Sequence, residues 1–317
     1  MAVIVSKVLV VFIYILIGFA AYRLHVLNDE SIKHLTTFII YITCPALLLS
    51  SVGGAELNRS IMFNTLFMLF ITLAFFFISS VIALYIARRI KGIDPLDANV
   101  HALGMTTVNS GFMGFPITQS VFGPLAFYYI VIQNISLNLY LYTIGVWQVN
   151  YKTGTLGSKK SLKEAIEPFI NPIIVSAFIS TFLLFAGIKI PDYFMNIITT
   201  IGDATIPTSM ILVGLQLGTS RISSVIKSKY IMFTTFVNLV LFPALAFGIA
   251  SLLPIDNIVK LAFTLSVCFP SAAIGVAICA NYDKNSQLYA EIVAATTLLS
   301  MVSLPVWIII MNMAFPI

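Results

Sequence analysis

Apolar runs of about twenty residues, separated by short polar or basic stretches, recur along the whole chain. Taking about 20 residues per crossing, the pattern predicts ten membrane-spanning helices, roughly at 4–24, 32–52, 61–87, 98–122, 124–149, 165–186, 191–218, 230–252, 257–281 and 287–312. One run departs from the pattern. In the middle of span 4, the stretch Asn109–Ile117 (NSGFMGFPI) places Gly111, Gly114 and Pro116 within six residues. Proline removes a backbone donor and clashes with the preceding turn, so the helix is predicted to break here. Each new helix end leaves backbone N–H and C=O groups that cost several kcal/mol if they face hydrocarbon. A break therefore survives only where it is buried in protein or lines a wet cavity, as in the discontinuous helices of secondary transporters.

The composition excludes a soluble domain: 59% of the 317 residues are hydrophobic, 9% are charged, and the mean hydropathy is +1.02. The net charge of +5 does not indicate nucleic acid, because the basic residues are spread over short loops. With ten spans, the loops after spans 1, 3, 5, 7 and 9 hold all 17 basic residues except Lys7, Arg59, Lys189 and Lys260. The positive-inside rule puts those loops in the cytoplasm and both termini outside, the first span being retained as a helix. Cys44, Cys268 and Cys279 lie in apolar segments without metal-ligand spacing and are read as packing residues.

Ten spans divide as five plus five, so the second half would enter the membrane inverted. The expected organisation is a first repeat over 1–150, a cytoplasmic linker over 151–163 and an inverted repeat over 164–317. Thr43-Cys44-Pro45 and Thr205-Ile206-Pro207 recur at matching places in the two halves, as do Val146-Trp147 and Val306-Trp307. On this repeat the partner of span 4 is span 9, which carries Pro270-Ser271-Ala272-Ala273 and Gly275 in an apolar run. Two interrupted helices would then cross near the midplane with half-helix N-termini presenting N–H groups, an arrangement that favours an anion.

These residues resemble the auxin efflux carrier family, which includes the plant PIN auxin transporters and prokaryotic permeases associated with organic acids. The plant crossover reads N-T-x-x-M-G-I-P. Asn109, Met113, Gly114 and Pro116 match it, with Ser110 for threonine and Phe115 for isoleucine. At the second crossover Pro270 and Tyr282 match, but Gly275 stands where a second proline is expected. Pro45, Gly214-Leu215, Leu217, Gln133 and Pro305 match as well. The short loop near Lys159 places the chain in the prokaryotic branch. The resemblance implies ten spans, crossed helices, alternating access by an elevator-like movement, and a homodimer.

The candidate substrate-binding residues are Asn109, Ser110, Gly111, Gly114 and Pro116 at the first break and Pro270, Ser271 and Gly275 at the second. Gln133, Asn134 and Asn138 of span 5 join them, with Asn134 and Asn138 on one helical face. The Asn109 amide both donates and accepts, so it could hold a carboxylate or cap the broken helix. Asp203 and Glu291 are the ion-coupling candidates, since an acid within a span costs about 2.5–3.5 kcal/mol at the bilayer centre. No catalytic residue, metal site or cofactor is predicted, because Gly-x-Ser-x-Gly and His-Glu-x-x-His motifs are missing. The expectation is an all-α, multi-pass secondary transporter of small organic anions in the plasma membrane. Its solute would be a mono- or dicarboxylate, with auxin-like acids included, and coupling to H+ or Na+ is left open. An anion channel or facilitator and a transporter-like sensor are the alternatives.

Overall fold

The structure, a computed structural model, describes residues 2–52, 59–152, 172–188, 190–219 and 227–317. The predicted linker beyond Lys152 and the first part of span 6 lie outside the described residues. Among the described residues the chain is helical throughout, with α1 (Ala2–Arg23), α2 (Asp29–Phe38), α3 (Cys44–Val52), α4 (Arg59–Arg89), α5 (Pro95–Thr106), α6 (Phe115–Phe122), α7 (Pro124–Tyr140) and α8 (Val146–Val149). There follow α9 (Pro172–Ala186), α10 (Asp192–Asp203), α11 (Thr205–Gly218), α12 (Lys229–Phe236), α13 (Phe242–Leu252), α14 (Asn257–Val267), α15 (Ile274–Asn281) and α16 (Ser286–Ala314). Among the described residues seven helical segments are long and apolar enough to cross a membrane, and they fall on predicted spans 1, 2, 3, 5, 7, 8 and 10. Spans 4 and 9 are each divided into shorter helices. The chain is a multi-pass membrane protein.

Among the described residues four segments are wound as π-turns: Ile39–Thr43, Ser110–Gly114, Leu141–Gly145 and Val237–Leu241. Three of them end two residues before a proline, at Pro45, Pro116 and Pro243. The reason is steric. A proline in a regular helix sets its ring against the carbonyl four residues back, whereas a wider turn shifts the bonding to five residues back. Cys44 N–H accordingly donates to the Ile39 carbonyl, and Phe242 N–H to that of Val237. The expectation that Pro116 breaks span 4 is corrected by this. Pro116 sits in the first turn of α6, and the break lies upstream, at Thr107–Asn109.

Contacts divide the chain into two compact units, each assembled from segments distant in sequence. The first draws on Met1–Met68, Gly111–Ile135 and Ile166–Thr219. Its main contact joins α1 to α11, which run in the same direction at backbone distance. A Cβ at Gly18 would overlap the Ile211 carbonyl, and one at Gly214 would overlap that of Ile15. Gly218 is pressed in the same way against Tyr22. In lipid there is no hydrophobic drive to bring helices together, so close backbone approach at small residues supplies the attraction. A second close crossing sets Gly202 of α10 against the Ala46–Leu47 backbone of α3. Since α10 packs against α3 and α11 against α2, the two crossing helix pairs are antiparallel.

The second unit draws on Leu69–Ser110, Ser136–Ala165 and Ser220–Ile317. The long helix α16 packs against α5, α12, α14 and α15. Phe75 meets Phe242 and Phe263 edge-on at 6.4 and 5.6 Å. One carbonyl at the π-turn of α12–α13, that of Leu239, accepts from the Trp307 indole at 2.9 Å.

Candidate functional site: two helix breaks that meet

The second unit contains both breaks. Asp94 starts α5 by accepting from Leu96 N–H at 2.8 Å, with Pro95 in the first turn where its missing donor is harmless. The helix ends at Thr106, Thr107 is extended, and the chain turns into the next helical segment at Ser110. The other break separates α14, ending at Val267, from α15, starting at Ile274. At their meeting point Asn109 N–H donates to the Pro270 carbonyl at 2.7 Å.

The carbonyls left over at the end of α5 are taken up by side chains from other helices. Ser271 Oγ donates to the Gly104 carbonyl at 2.7 Å, and Asn238 Nδ2 donates to the carbonyls of Met105 at 3.1 Å and Thr107 at 3.2 Å. On the second break, Ser271 N–H donates to Thr296 Oγ1 at 3.1 Å. Two consecutive threonines, Thr106 and Thr107, share hydrogen bonds with the hydroxyls of Tyr140 and Tyr289. Tyr140 donates in turn to Gln148 Oε1 at 2.8 Å. All of these side chains are buried. A buried backbone group without a partner costs about 1–3 kcal/mol, so this set of side chains is what makes an interrupted helix tolerable inside the unit.

Gly275 is explained by the same cluster. The Tyr289 ring lies directly over it, and any Cβ there would overlap the ring. The glycine that replaces the expected proline is therefore required by its neighbour.

The structure treats the sequence-predicted residues unequally. Asn109, Ser110, Pro270 and Ser271 are buried together in the second unit with Gly275. Two of the backbone donors expected to be on offer are engaged: Ser271 N–H by Thr296, and Gly275 N–H by the Ala272 carbonyl at 3.1 Å. The first unit holds Gly111, Gly114, Pro116, Gln133 and Asn134. Gly111 faces open space, with nothing within 4 Å of where a Cβ would stand. Gln133 is fully buried, and neither atom of its amide has a hydrogen-bond partner among the described residues. Asn134 and Asn138 are both half-buried on α7. Asp203 is exposed at the last residue of α10, and Glu291 is half-buried in the second turn of α16. His101 is buried, with Nδ1 2.7 Å from Thr234 Oγ1.

Sequence reasoning missed Asn238 and Tyr289. An amide in the middle of an apolar span was a usable signal for Asn238. A tyrosine four residues into α16 looks like any interfacial aromatic, so Tyr289 carried none. Chemically the meeting point of the two breaks offers amides, hydroxyls and backbone dipoles. Between Val100 and Phe122, and between Leu261 and Asn281, there is no Asp, Glu, Lys or Arg. Among the described residues no group of three His, Cys, Asp or Glu is placed to hold a metal ion.

The sequence has clear relatives. The family model described as "Membrane transport protein" matches residues 3–308. An uncharacterized transporter of Methanothermobacter thermautotrophicus is 24% identical over 309 residues, 96% of this chain and 98% of that protein. The uncharacterized transporter YfdV of Escherichia coli K12 is 24% identical over 313 residues, 96% of each chain. A third, from Methanocaldococcus jannaschii, is 22% identical over 95% of this chain and 96% of its own. The two breaks and the full-length match lead to one conclusion: this chain belongs to the membrane transport protein family, that of the auxin efflux carriers.

Proposed function

We propose that the protein is a secondary active transporter of small organic anions, mono- or dicarboxylates, working by alternating access with an elevator-like movement. The observation that carries this reading is the hydrogen bond from Asn109 to Pro270, which joins two helix breaks inside one compact unit. Irregular backbone at membrane depth is the recurrent setting of a transporter's substrate site. Dipoles rather than a fixed cation would hold the anion, with Asn109 and Ser110 nearest the joint and Asn138 on the same unit. Gly111, Gly114, Pro116, Gln133 and Asn134 are further substrate candidates, and the unpartnered amide of Gln133 makes it the first of these to test. Pro270, Ser271 and Gly275 would shape the second break.

The span pattern and the family resemblance supply the rest. Ten spans form two inverted five-helix repeats, 1–150 and 164–317, joined by 151–163. The protein works as a homodimer in the plasma membrane with both termini extracytoplasmic. Asp203 or Glu291 is the group to examine for coupling to H+ or Na+. The Asp203 side chain is exposed at the last residue of α10, and that of Glu291 is half-buried.

Uptake of labelled carboxylates into proteoliposomes tests the proposal. Saturable flux is expected, with Asn109→Ala lowering it at least tenfold through weaker apparent affinity, since a lost hydrogen bond to a charged group costs about 1.5–3 kcal/mol. Asn109→Ala flux at the wild-type rate and affinity would remove the assignment. Non-saturating flux with single-channel steps would favour a facilitator instead.

A further inference from the structure

A different face of the second unit carries two features that solute transport leaves unused. The first is an apolar groove of about 290 Å³ between α4 and α13, with Ile71, Ile78 and Ile82 on one wall, Leu245 and Ile249 on the other, and Phe263 beneath. Its wall exposes no polar atom, and the one hydroxyl beside it, that of Ser79, is turned back to the Phe76 carbonyl at 3.2 Å. Ile78, Leu245 and Ile249 are 56%, 42% and 41% exposed, so the groove opens outward.

The second feature is a basic cluster at one end of the same two helices. The groove positions on α4 recur at intervals of three and four, and the stripe continues through Tyr85 to Arg89. The Arg89 guanidinium lies 4.7 Å over the Tyr85 ring. Tyr230, at the start of α12, donates its hydroxyl to the Lys91 carbonyl at 3.2 Å, across a turn that requires Gly92 at φ +90°. That bond brings Lys229, itself 5.0 Å over the Tyr230 ring, to the end of α4. Arg89, Lys91 and Lys229 are exposed, and none is in an ion pair among the described residues. The nearest acid in sequence, Asp94, is occupied in capping α5.

We propose that this face binds an anionic phospholipid, its phosphate held by Arg89, Lys91 and Lys229 and one acyl chain laid along the α4 stripe into the groove. At 1.5 Å per residue the groove starts about 10 Å beyond Arg89 and ends about 27 Å beyond it, within the depth of a ~30 Å hydrocarbon core. The apolar groove alone would accept any lipid tail. The unpaired charges at its end select the headgroup, each basic residue adding attraction for anionic lipid near the surface.

Lipid retention by the purified full-length protein, measured by native mass spectrometry against phosphatidylglycerol and phosphatidylcholine, tests the proposal. Phosphatidylglycerol is expected to be retained preferentially. The triple variant Arg89→Gln, Lys91→Gln, Lys229→Gln should weaken its binding roughly a hundredfold and leave phosphatidylcholine unchanged. Leu245→Trp, which fills the groove, should reduce retention of both. All four positions are exposed, so the variants keep the fold, which thermal unfolding checks directly. Equal retention of the two lipids by the wild type, an unchanged preference in the triple variant, or competition by glycerol phosphate as effective as phosphatidylglycerol would overturn it.

Discussion

Gly214→Ala is expected to cost more stability than its single added methyl suggests, because that methyl would overlap the Ile15 carbonyl across the α1–α11 contact. Neither partner can yield alone, since both atoms belong to helix backbones. The two helices must separate, which removes the close packing that holds them in lipid. Overpacking of a well-filled contact costs about 1–3 kcal/mol, and a clash with backbone belongs at or above the upper end. Gly248→Ala supplies the control. It lies inside α13 with nothing within 4 Å of the new methyl, so helix propensity alone predicts a gain of up to about 1 kcal/mol. Thermal unfolding of the detergent-purified variants separates the two cases. A Gly214→Ala protein as stable as Gly248→Ala would mean that α1 and α11 do not meet through these glycines.

The second large effect is expected at Asn238. Leucine keeps the branched shape and heavy-atom count of asparagine but removes the donor that Met105 and Thr107 carbonyls share. Both carbonyls sit where α5 ends, and each loses a partner in a buried place. At about 1–3 kcal/mol per unsatisfied group, Asn238→Leu should destabilise by about 2–6 kcal/mol. The loss should be local, appearing as faster hydrogen exchange at Thr107–Asn109 and Phe269–Ser271 while the α1–α11 contact stays protected. Uniform loss of protection in both units would contradict that. So would an unchanged exchange pattern.

The sequence made the breaks visible because proline, glycine and polar residues in an apolar run have few structural uses. It located the second break well, since Pro270 stands in the break itself. It misplaced the first by several residues. A proline inside an otherwise helical run can be absorbed by a π-turn, and an extra residue per turn leaves no trace in composition or periodicity. The same device at Pro45 and Pro243 passed unnoticed for the same reason. Burial was the other blind spot. Nothing in the composition tells that the Asp203 side chain is exposed on α10 while that of Gln133, one amide among several on paper, is fully enclosed. The close glycine contacts were equally hidden, because Gly18 and Gly214 lie far apart in sequence and meet only in the fold. Units assembled from interleaved segments likewise leave no boundary in a chain that is apolar from end to end.

On the proposed function the two helix breaks bind a small organic anion. A thermal-unfolding screen of the purified protein against lactate, malonate, malate, citrate and indole-3-acetate, with neutral and cationic solutes alongside, tests it most directly. A ligand that binds only the folded protein raises stability by about 2.7 kcal/mol at a hundred times its Kd. Stabilisation by at least one carboxylate, lost in Asn109→Ala but retained in Asp203→Asn, is the predicted result. Stabilisation by amines or neutral solutes alone, or by a carboxylate equally in the wild type and Asn109→Ala, would contradict it.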